Sequence, residues 1–228
     1  MLLIGRDAMR LENAGNTCRA AGATVETRAV DVCHADELAT HVLAFDARYS
    51  VDLIIANAGI EARTAPGMAT EAHADAVRQL RVNLEGAFNT VMPLIEPMRA
   101  RRGGHIALVA SLAGVTPMPD HPAYSASKAG LIAWGEALLL GLARDGVAVT
   151  IICPGYVDTL MSRQYTRPFQ ISADDAAGRI IRGLTARRAV VAFPWPLVTL
   201  STLSCLLPFS VRAFVINRWF RKANKPKA

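Results

Sequence analysis

Residues 105–128 read HIALVASLAGVTPMPDHPAYSASK, and this stretch joins an apolar strand to a long helix through a loop with polar side chains. The apolar run 105–110 predicts a strand, and the run 123–145 predicts a helix. Ser111 follows the strand directly. Because ligand sites in open α/β sheets lie at the carboxyl ends of the strands, this stretch predicts a core strand together with part of a site.

Short apolar runs alternate with longer amphipathic runs along the rest of the chain. Strands that alternate with helices are typical of a doubly wound parallel sheet, the Rossmann-like α/β class. Pro93 and Pro97 predict a bend or a fraying end in one long helix. The predicted strands cover residues 2–5, 24–30, 51–56, 105–110, 147–153 and 189–193, and the predicted helices cover residues 7–21, 35–49, 71–100, 123–145 and 173–186.

Tyr124 and Lys128 are four residues apart on a predicted helix, so their side chains share one face. An ammonium beside a phenol favours the phenolate, which predicts a lowered pKa for Tyr124. Such a phenol can exchange a proton with a carbonyl oxygen that the Ser111 hydroxyl holds by hydrogen bond. The alternative is an exposed tyrosine beside a solvated lysine. Against it, Lys128 is the only lysine before Lys222, and lysine is a more compact cation than arginine.

Composition excludes several classes of protein. The 228 residues suit one α/β domain, and the four cysteines show no paired spacing and no accompanying histidine cluster, so no metal site is predicted. Residues 1–175 hold 15 basic and 19 acidic residues, whereas residues 176–228 hold ten basic residues and no acidic one. The basic character therefore belongs to the C-terminal end, which argues against a nucleic-acid-binding face on the main domain.

Four motifs stand at predicted strand ends or on predicted helices. Each alone has an ordinary explanation, since Asn-Ala-Gly and Pro-Gly are common turn sequences. They are Ala56-Asn57-Ala58-Gly59, Asn83 within Val82-Asn83-Leu84-Glu85-Gly86-Ala87-Phe88, the trio Ser111, Tyr124 and Lys128, and Pro154-Gly155-Tyr156-Val157-Asp158-Thr159. With these motifs in this order and spacing, residues 1 to about 193 resemble the short-chain dehydrogenase/reductase family.

The resemblance implies an oxidoreductase that interconverts a ketone and a secondary alcohol by hydride transfer at nicotinamide C4. Tyr124 would be the proton donor in reduction and the acceptor in oxidation. Lys128 would lower the pKa of that tyrosine and hold the nicotinamide ribose hydroxyls. Ser111 would bind the substrate oxygen, and Asn83 would position a water in a proton relay. The resemblance also implies a homodimer or homotetramer formed through the long helices around residues 71–100 and 123–145.

The resemblance further implies where the cofactor lies. Asn57, Ala58 and Gly59 would line it at the end of their strand. The loop that begins at Pro154 and Gly155 would pass beside the nicotinamide. Val157 and Thr159 of that loop would lie near the carboxamide.

The choice of cofactor is predicted from the front of the chain. In the family, an acidic residue that ends the second strand often binds the ribose 2′-hydroxyl of NAD. The equivalent place here is Gly5 followed by Arg6, and an arginine can pair bidentately with a 2′-phosphate. NADP(H) is therefore predicted over NAD(H), with Asp31 and Val32 flanking the adenine. The alternative is that Arg6 is a solvated surface residue.

The family's first strand and glycine-rich turn have no counterpart in this sequence. That turn and the helix after it normally cradle the pyrophosphate. Because the strand is central in the family's sheet, its absence predicts two strands left facing each other without a partner. Two explanations stay open, a shortened copy of a normal enzyme or a remnant that binds cofactor poorly. The second fits a non-enzymatic membrane-surface or partner-binding protein, the alternative to an oxidoreductase.

Residues 194–228 are predicted to form a hydrophobic, basic tail after a reductase domain at residues 1–193. Prolines at 194, 196 and 208 disfavour a continuous membrane span, although residues 189–211 carry no charge. Trp195 and Trp219 near basic residues suit helices lying on a membrane surface, and packing against protein is the equal alternative. Either case predicts an apolar substrate, admitted beside the mixed loop between Thr159 and Ser172. The expected location is the cytoplasm, either free or peripheral on the inner face of a membrane.

Overall fold

The computed structural model describes residues 1–65, 68–159 and 167–223, with the backbone alone at 217 and 219–223. Within these residues the strands are β1 (Leu2–Gly5), β2 (Glu26–Ala29), β3 (Leu53–Ala56), β4 (Gly104–Val109), β5 (Val147–Pro154) and β6 (Val190–Phe193). The α-helices there are α1 (Ala8–Ala20), α2 (Ala35–Tyr49), α3 (His73–Leu80), α4 (Gly86–Ala100), α5 (Leu112–Val115), α6 (Pro122–Leu142), α7 (Ala173–Thr185), α8 (Trp195–Cys205) and α9 (Phe209–Ala223).

All of the strand pairs are parallel, and they fall into two groups. Strands β3, β4, β5 and β6 are hydrogen-bonded in that order, while β1 pairs with β2. Among the described residues no strand pairing joins β1 to β3. The hydrogen-bond ladder is thus interrupted where the sequence predicted two strands without a partner. Near this interruption, Leu53 and Ile55 of β3 are exposed.

The core lies on both faces of the sheet because alternate residues of a strand point to opposite sides. Ile106 and Leu108 of β4 face a large apolar cluster to which α2, α4 and α6 contribute. Ala107 of β4 and Ile152 of β5 face a smaller cluster, where Ala176 of α7 covers the sheet. Helices on both faces of a parallel sheet confirm the predicted doubly wound α/β fold.

Helix α6 approaches the sheet closely, because Gly135 leaves room for it. A Cβ atom at Gly135 would lie 2.7 Å from the Ile151 side chain and 3.0 Å from that of Leu108. Among the described residues, Pro122–Asp145 is the one helical segment long and apolar enough to cross a membrane. Because that segment packs on β4 and β5, we interpret it as a core helix.

The predicted long helix over residues 71–100 is not a uniform α-helix. It begins at His73, widens into a π-helix at Arg81–Glu85 and continues as α4. Pro93 and Pro97 lie inside α4 and do not end it. The π-turn matters for function because such bulges occur frequently at functional sites, and this one contains Asn83.

Candidate active site

The residues named from the sequence motifs collect at one edge of the sheet. They follow the carboxyl ends of successive strands, which in parallel sheets is where ligands bind. Arg6 follows β1, Asp31 follows β2, Asn57 follows β3, Ser111 follows β4, and Pro154 ends β5.

Ser111, Tyr124 and Lys128 lie together at the centre of this edge. Ser111 is the N-cap of α5, where its hydroxyl accepts a hydrogen bond of 3.1 Å from Ala113 N. Tyr124 and Lys128 occupy the first turns of α6, with Lys128 Nζ 5.7 Å from the Tyr124 ring centroid. A hydrogen bond to Ser111 lowers the pKa of Tyr124. The predicted trio is therefore assembled.

The pKa of Tyr124 contradicts the expectation from sequence. Burial, and then the negative charge of Glu61, raise the pKa of Tyr124 to about 12, although Ser111 and Arg63 oppose the rise. The prediction of a lowered pKa was wrong because it weighed the nearby ammonium and ignored desolvation of the phenolate. At neutral pH the phenol of the ligand-free protein therefore keeps its proton.

Lys128 is buried, and burial lowers its pKa from the ordinary lysine value to about 8. Its ammonium donates a hydrogen bond of 2.7 Å to Val109 O, at the end of β4. A lysine buried at the carboxyl edge of a sheet with a strongly shifted pKa is a functional-site signature, since surface lysines avoid that cost.

Asn83 is fully buried, and both the oxygen and the nitrogen of its side-chain amide are hydrogen-bonded. Its Oδ1 accepts from Ile60 N at 2.7 Å, and its Nδ2 donates to Ile60 O at 2.9 Å and to Ser127 Oγ at 3.1 Å. A Cβ atom at Gly59 would lie 3.5 Å from Asn83 Oδ1 and 3.6 Å from Lys128 Nζ. Gly59 thus lies close to both Asn83 and Lys128.

A cleft of about 490 Å³ opens at the other end of the same edge. Among the described residues, its lining is rich in cationic and imidazole side chains and contains one carboxylate: Arg6, Asp31, Cys33, His34, His73, Ala74, Val77, Arg78, Arg81 and Val82. Hydrogen bonding from the Cys33 backbone lowers the pKa of Asp31 against the effect of burial, with a smaller contribution from the charge of Arg6. Arg6 itself is exposed, so its guanidinium is accessible to a bound anion.

The loop after β5 also reaches the site, where it contacts Ser111. Ser111 Oγ donates a hydrogen bond of 3.4 Å to Pro154 O. Val157 bridges to Ile171 in parallel orientation, which holds the loop against the start of α7. Asn57, Ala58 and Thr159 are exposed at the same edge. Residues 160–166, the middle of the loop predicted to admit substrate, lie outside the described residues.

A charged cluster beside Tyr124 was not predicted. Arg63 pairs with Glu61 at 2.6 Å and with Asp120 at 2.9 Å, and His121 Nδ1 lies 2.6 Å from Asp120 Oδ1. The His121 ring meets the Tyr124 ring edge-on at 5.6 Å. Burial raises the pKa of Asp120, but hydrogen bonding to His121 and the nearby arginines outweigh burial and leave it below its usual value.

Glu71 is a second residue that sequence reasoning missed. Its buried carboxylate accepts a hydrogen bond of 2.9 Å from Ala123 N in the first turn of α6. His121 at the N-cap of α6 makes no side-chain cap, so Glu71 supplies the acceptor and the negative charge that a helix N-terminus favours. No local signal points to it, because Glu71 and Ala123 are 52 residues apart in sequence.

The residues at both ends of this edge fit a nicotinamide dinucleotide. At one end the Lys128 ammonium is a donor for ribose hydroxyls, and at the other the cleft lined by Arg6 and Asp31 offers charged side chains to the adenosine half. Among the described residues, no strand lies between β1 and β3, and the sequence has no glycine-rich turn to cradle the pyrophosphate between these ends.

Comparison with known proteins agrees with the geometry. The family model described as short chain dehydrogenase matches residues 1–168. An uncharacterized oxidoreductase of Myxococcus xanthus (strain DK1622) is 35% identical over 208 residues, which cover 90% of this chain and 81% of that protein. The ketoacyl reductase HetN of Nostoc sp. is 33% identical over 179 residues, or 78% of this chain. This chain spans 61% of HetN, less than two thirds of its length.

A solved structure shares the fold at lower identity. The gluconate 5-dehydrogenase of Burkholderia cenocepacia J2315, crystallised in complex with NADP and tartrate, superposes with a TM-score of 0.75. The superposition covers 87% of this chain and 85% of that one at 21% identity, which establishes a common fold.

Proposed function

The chain belongs to the short-chain dehydrogenase/reductase family of oxidoreductases, and from this premise we propose that it is an NADP(H)-dependent oxidoreductase interconverting a ketone and a secondary alcohol. The observation that carries the proposal is the convergence of Tyr124, Lys128 and Ser111 at one strand edge, with the lysine buried and its pKa depressed.

The proposed roles follow from the side chains in place. When bound, NADPH supplies the hydride that reaches the carbonyl carbon. Ser111 donates a hydrogen bond to the carbonyl oxygen and holds it beside Tyr124. Tyr124 Oη then gives its proton to that oxygen as negative charge develops there. With a pKa of about 12 the phenol is protonated at neutral pH, so the ligand-free protein is poised for reduction.

Lys128 and Asn83 support the proton transfer. The Lys128 ammonium stabilises the phenolate that remains after the step and binds the ribose hydroxyls through its free donors. Asn83, fixed by Ile60 and Ser127, holds the wall of the pocket and positions a water that returns a proton to Tyr124. On this proposal Asn57, Ala58, Gly59, Pro154, Gly155, Val157 and Thr159 line the bound cofactor.

The substrate class is proposed from the relatives and from the tail. Several relatives are named as ketoacyl reductases, including HetN. An acyl chain that carries a ketone combines the carbonyl that Tyr124 requires with an apolar body. The exposed apolar side chains of α8 and α9 are consistent with an apolar substrate of this kind.

The organisation of the protein is proposed in the same terms. Residues 1–193 form the reductase domain, and residues 194–228 form the tail. Exposed apolar residues on α4 and α6, such as Met92 and Leu140, favour a homodimer or homotetramer through these helices. The proposed location is cytoplasmic, with peripheral attachment to the inner face of a membrane.

Arg6 should set the preference for NADPH over NADH. We expect Arg6→Ala to weaken NADPH binding by about 10- to 100-fold, because charge-assisted hydrogen bonds contribute about 1.5–3 kcal/mol. NADH binding should stay within about threefold, since NADH lacks the 2′-phosphate. The measurement is the turnover of a ketoacyl substrate at varied NADPH and NADH, which tests the proposed activity and the preference together.

Arg144→Ala is the matched control, because Arg144 is an exposed arginine at the opposite, amino-terminal edge of β5. Arg144→Ala should leave the binding of both NADPH and NADH unchanged. If Arg6→Ala weakened NADH binding as much as NADPH binding, or weakened neither, Arg6 would not bind the 2′-phosphate. If no ketone were reduced with either cofactor, the proposed activity itself would be wrong.

A second candidate is a non-enzymatic, partner-binding protein on a reductase scaffold. The observation in its favour is the interrupted ladder between β1 and β3 among the described residues. The intact, buried Lys128 favours the enzyme, because a binding scaffold gains nothing from a buried lysine that destabilises the fold.

A further inference from the structure

Helices α8 and α9 are joined by residues 206–208, are here together called the tail hairpin (residues 195–223), and carry exposed apolar side chains. Large apolar side chains are normally exposed singly, and a concentration of them marks an interaction site. Here several fall within about twenty consecutive positions, each more than half exposed: Trp195, Leu203, Leu206, Phe209 and Phe214. The tail hairpin therefore has large apolar side chains that the other described residues leave exposed.

The hairpin is anchored to the body through α8. Leu197 is buried, and a Cβ atom at Gly155 would lie 2.9 Å from its Cδ1. Ser204 Oγ lies 3.2 Å from Thr116 Oγ1, just after α5. Because α8 is fixed by one side, its outer side is held facing away from the domain.

The charge of the hairpin is of one sign. Residues 195–223 contain four basic residues and no acidic one. In α9 the exposed apolar residues Val211, Phe214 and Val215 recur at helical spacing, and the exposed Arg218 lies on the same side. Exposed apolar side chains beside basic residues are typical of a helix lying in an anionic membrane interface.

Two other occupants fit less well. A transmembrane span needs about 20 residues, whereas α8 has 11 and α9 has 15. A second copy of this chain docked tail to tail would bring two strongly basic segments together, and like charges across an interface oppose association.

We propose that the tail hairpin docks the protein on anionic phospholipid bilayers, with Trp195, Phe209 and Phe214 entering the interface and Arg212 and Arg218 meeting the headgroups. Docking does not depend on the proposed enzyme activity. One consequence does rest on it: because α8 touches Gly155 and Thr116, docking would bring the membrane surface close to the active-site loops, where an apolar ketone could be delivered.

Vesicle sedimentation of the full chain tests this directly. We expect binding to vesicles of equal parts phosphatidylcholine and phosphatidylglycerol, weaker binding to phosphatidylcholine alone, and loss of binding as salt rises. The double substitution Phe209→Ser with Phe214→Ser should lower the bound fraction at least tenfold. Arg212→Glu should lower binding to the anionic vesicles by about tenfold or more and leave binding to phosphatidylcholine unchanged.

Ile181→Ser is the matched control, because Ile181 is exposed nearly as much as Phe214 but lies on α7. It should bind vesicles like the unsubstituted chain. Circular dichroism identifies any variant that fails to fold. Equal binding to both vesicle types without a salt effect, or no binding to either, would overturn the proposal. So would a chain that self-associates without lipid and becomes monomeric on the double substitution, since the hairpin would then be a subunit interface.

Discussion

Replacing Tyr124 by phenylalanine will lower ketone turnover by about 10²- to 10⁴-fold, the usual contribution of a positioned proton donor. Phenylalanine keeps the ring that meets His121 at 5.6 Å and lies 5.7 Å from Lys128 Nζ, so the pocket should keep its shape. NADPH affinity should therefore stay within about threefold. The measurement is steady-state reduction together with a separate NADPH titration of the same preparation.

Tyr49→Phe controls for the loss of a tyrosine hydroxyl as such, because Tyr49 is exposed at the end of α2. It should leave turnover unchanged. A Tyr124→Phe protein that turned over substrate at the original rate would remove this residue from the proton transfer. Loss of NADPH binding by Tyr124→Phe would instead indicate a binding role.

Replacing Lys128 by methionine will abolish turnover yet make the ligand-free protein more stable at pH 7. The ammonium is buried, and burial lowers its pKa to about 8, which means that the folded state disfavours the charge. Methionine has a similar length and carries no charge into the core. A substitution that removes activity and raises stability is the expected mark of a functional residue held at a cost to the fold.

Because of the same lysine, the free energy of unfolding should rise as the pH is raised. Between about pH 8, its folded pKa, and its ordinary value of 10.5, the unfolded chain holds a proton that the folded chain has lost. Raising the pH through this window therefore favours the folded state, by up to about 3 kcal/mol in total. Denaturant unfolding across this range should show the increase in the unsubstituted chain relative to Lys128→Met. Parallel profiles would contradict a depressed pKa for Lys128.

Much of the fold follows from local sequence pattern. Each predicted strand overlaps an observed one because short apolar runs bounded by turns are typical of buried strands. The site residues could be placed at one edge because parallel strands all end there. The interrupted ladder between β1 and β3 could also be predicted, because the family resemblance supplied the strand order of the sheet.

The remaining features depend on contacts that no local pattern encodes. The π-turn at Arg81–Glu85 lies within a sequence that predicts an ordinary helix. Glu71 caps α6 from 52 residues away, and Arg63 reaches Asp120 across 57 residues. The pKa of Tyr124 was predicted in the wrong direction because the extent of desolvation depends on all of the segments that bury it.

The most direct test of the account is a titration of this 228-residue chain with NADPH and with NADH, followed by nicotinamide fluorescence. The account predicts saturable binding of NADPH on the order of micromolar, within the usual range for enzyme substrates, and weaker binding of NADH. Such binding would mean that the residues at the two ends of the strand edge hold the cofactor without a glycine-rich turn. A folded protein that binds neither nucleotide would contradict the central claim that this edge is a nicotinamide site.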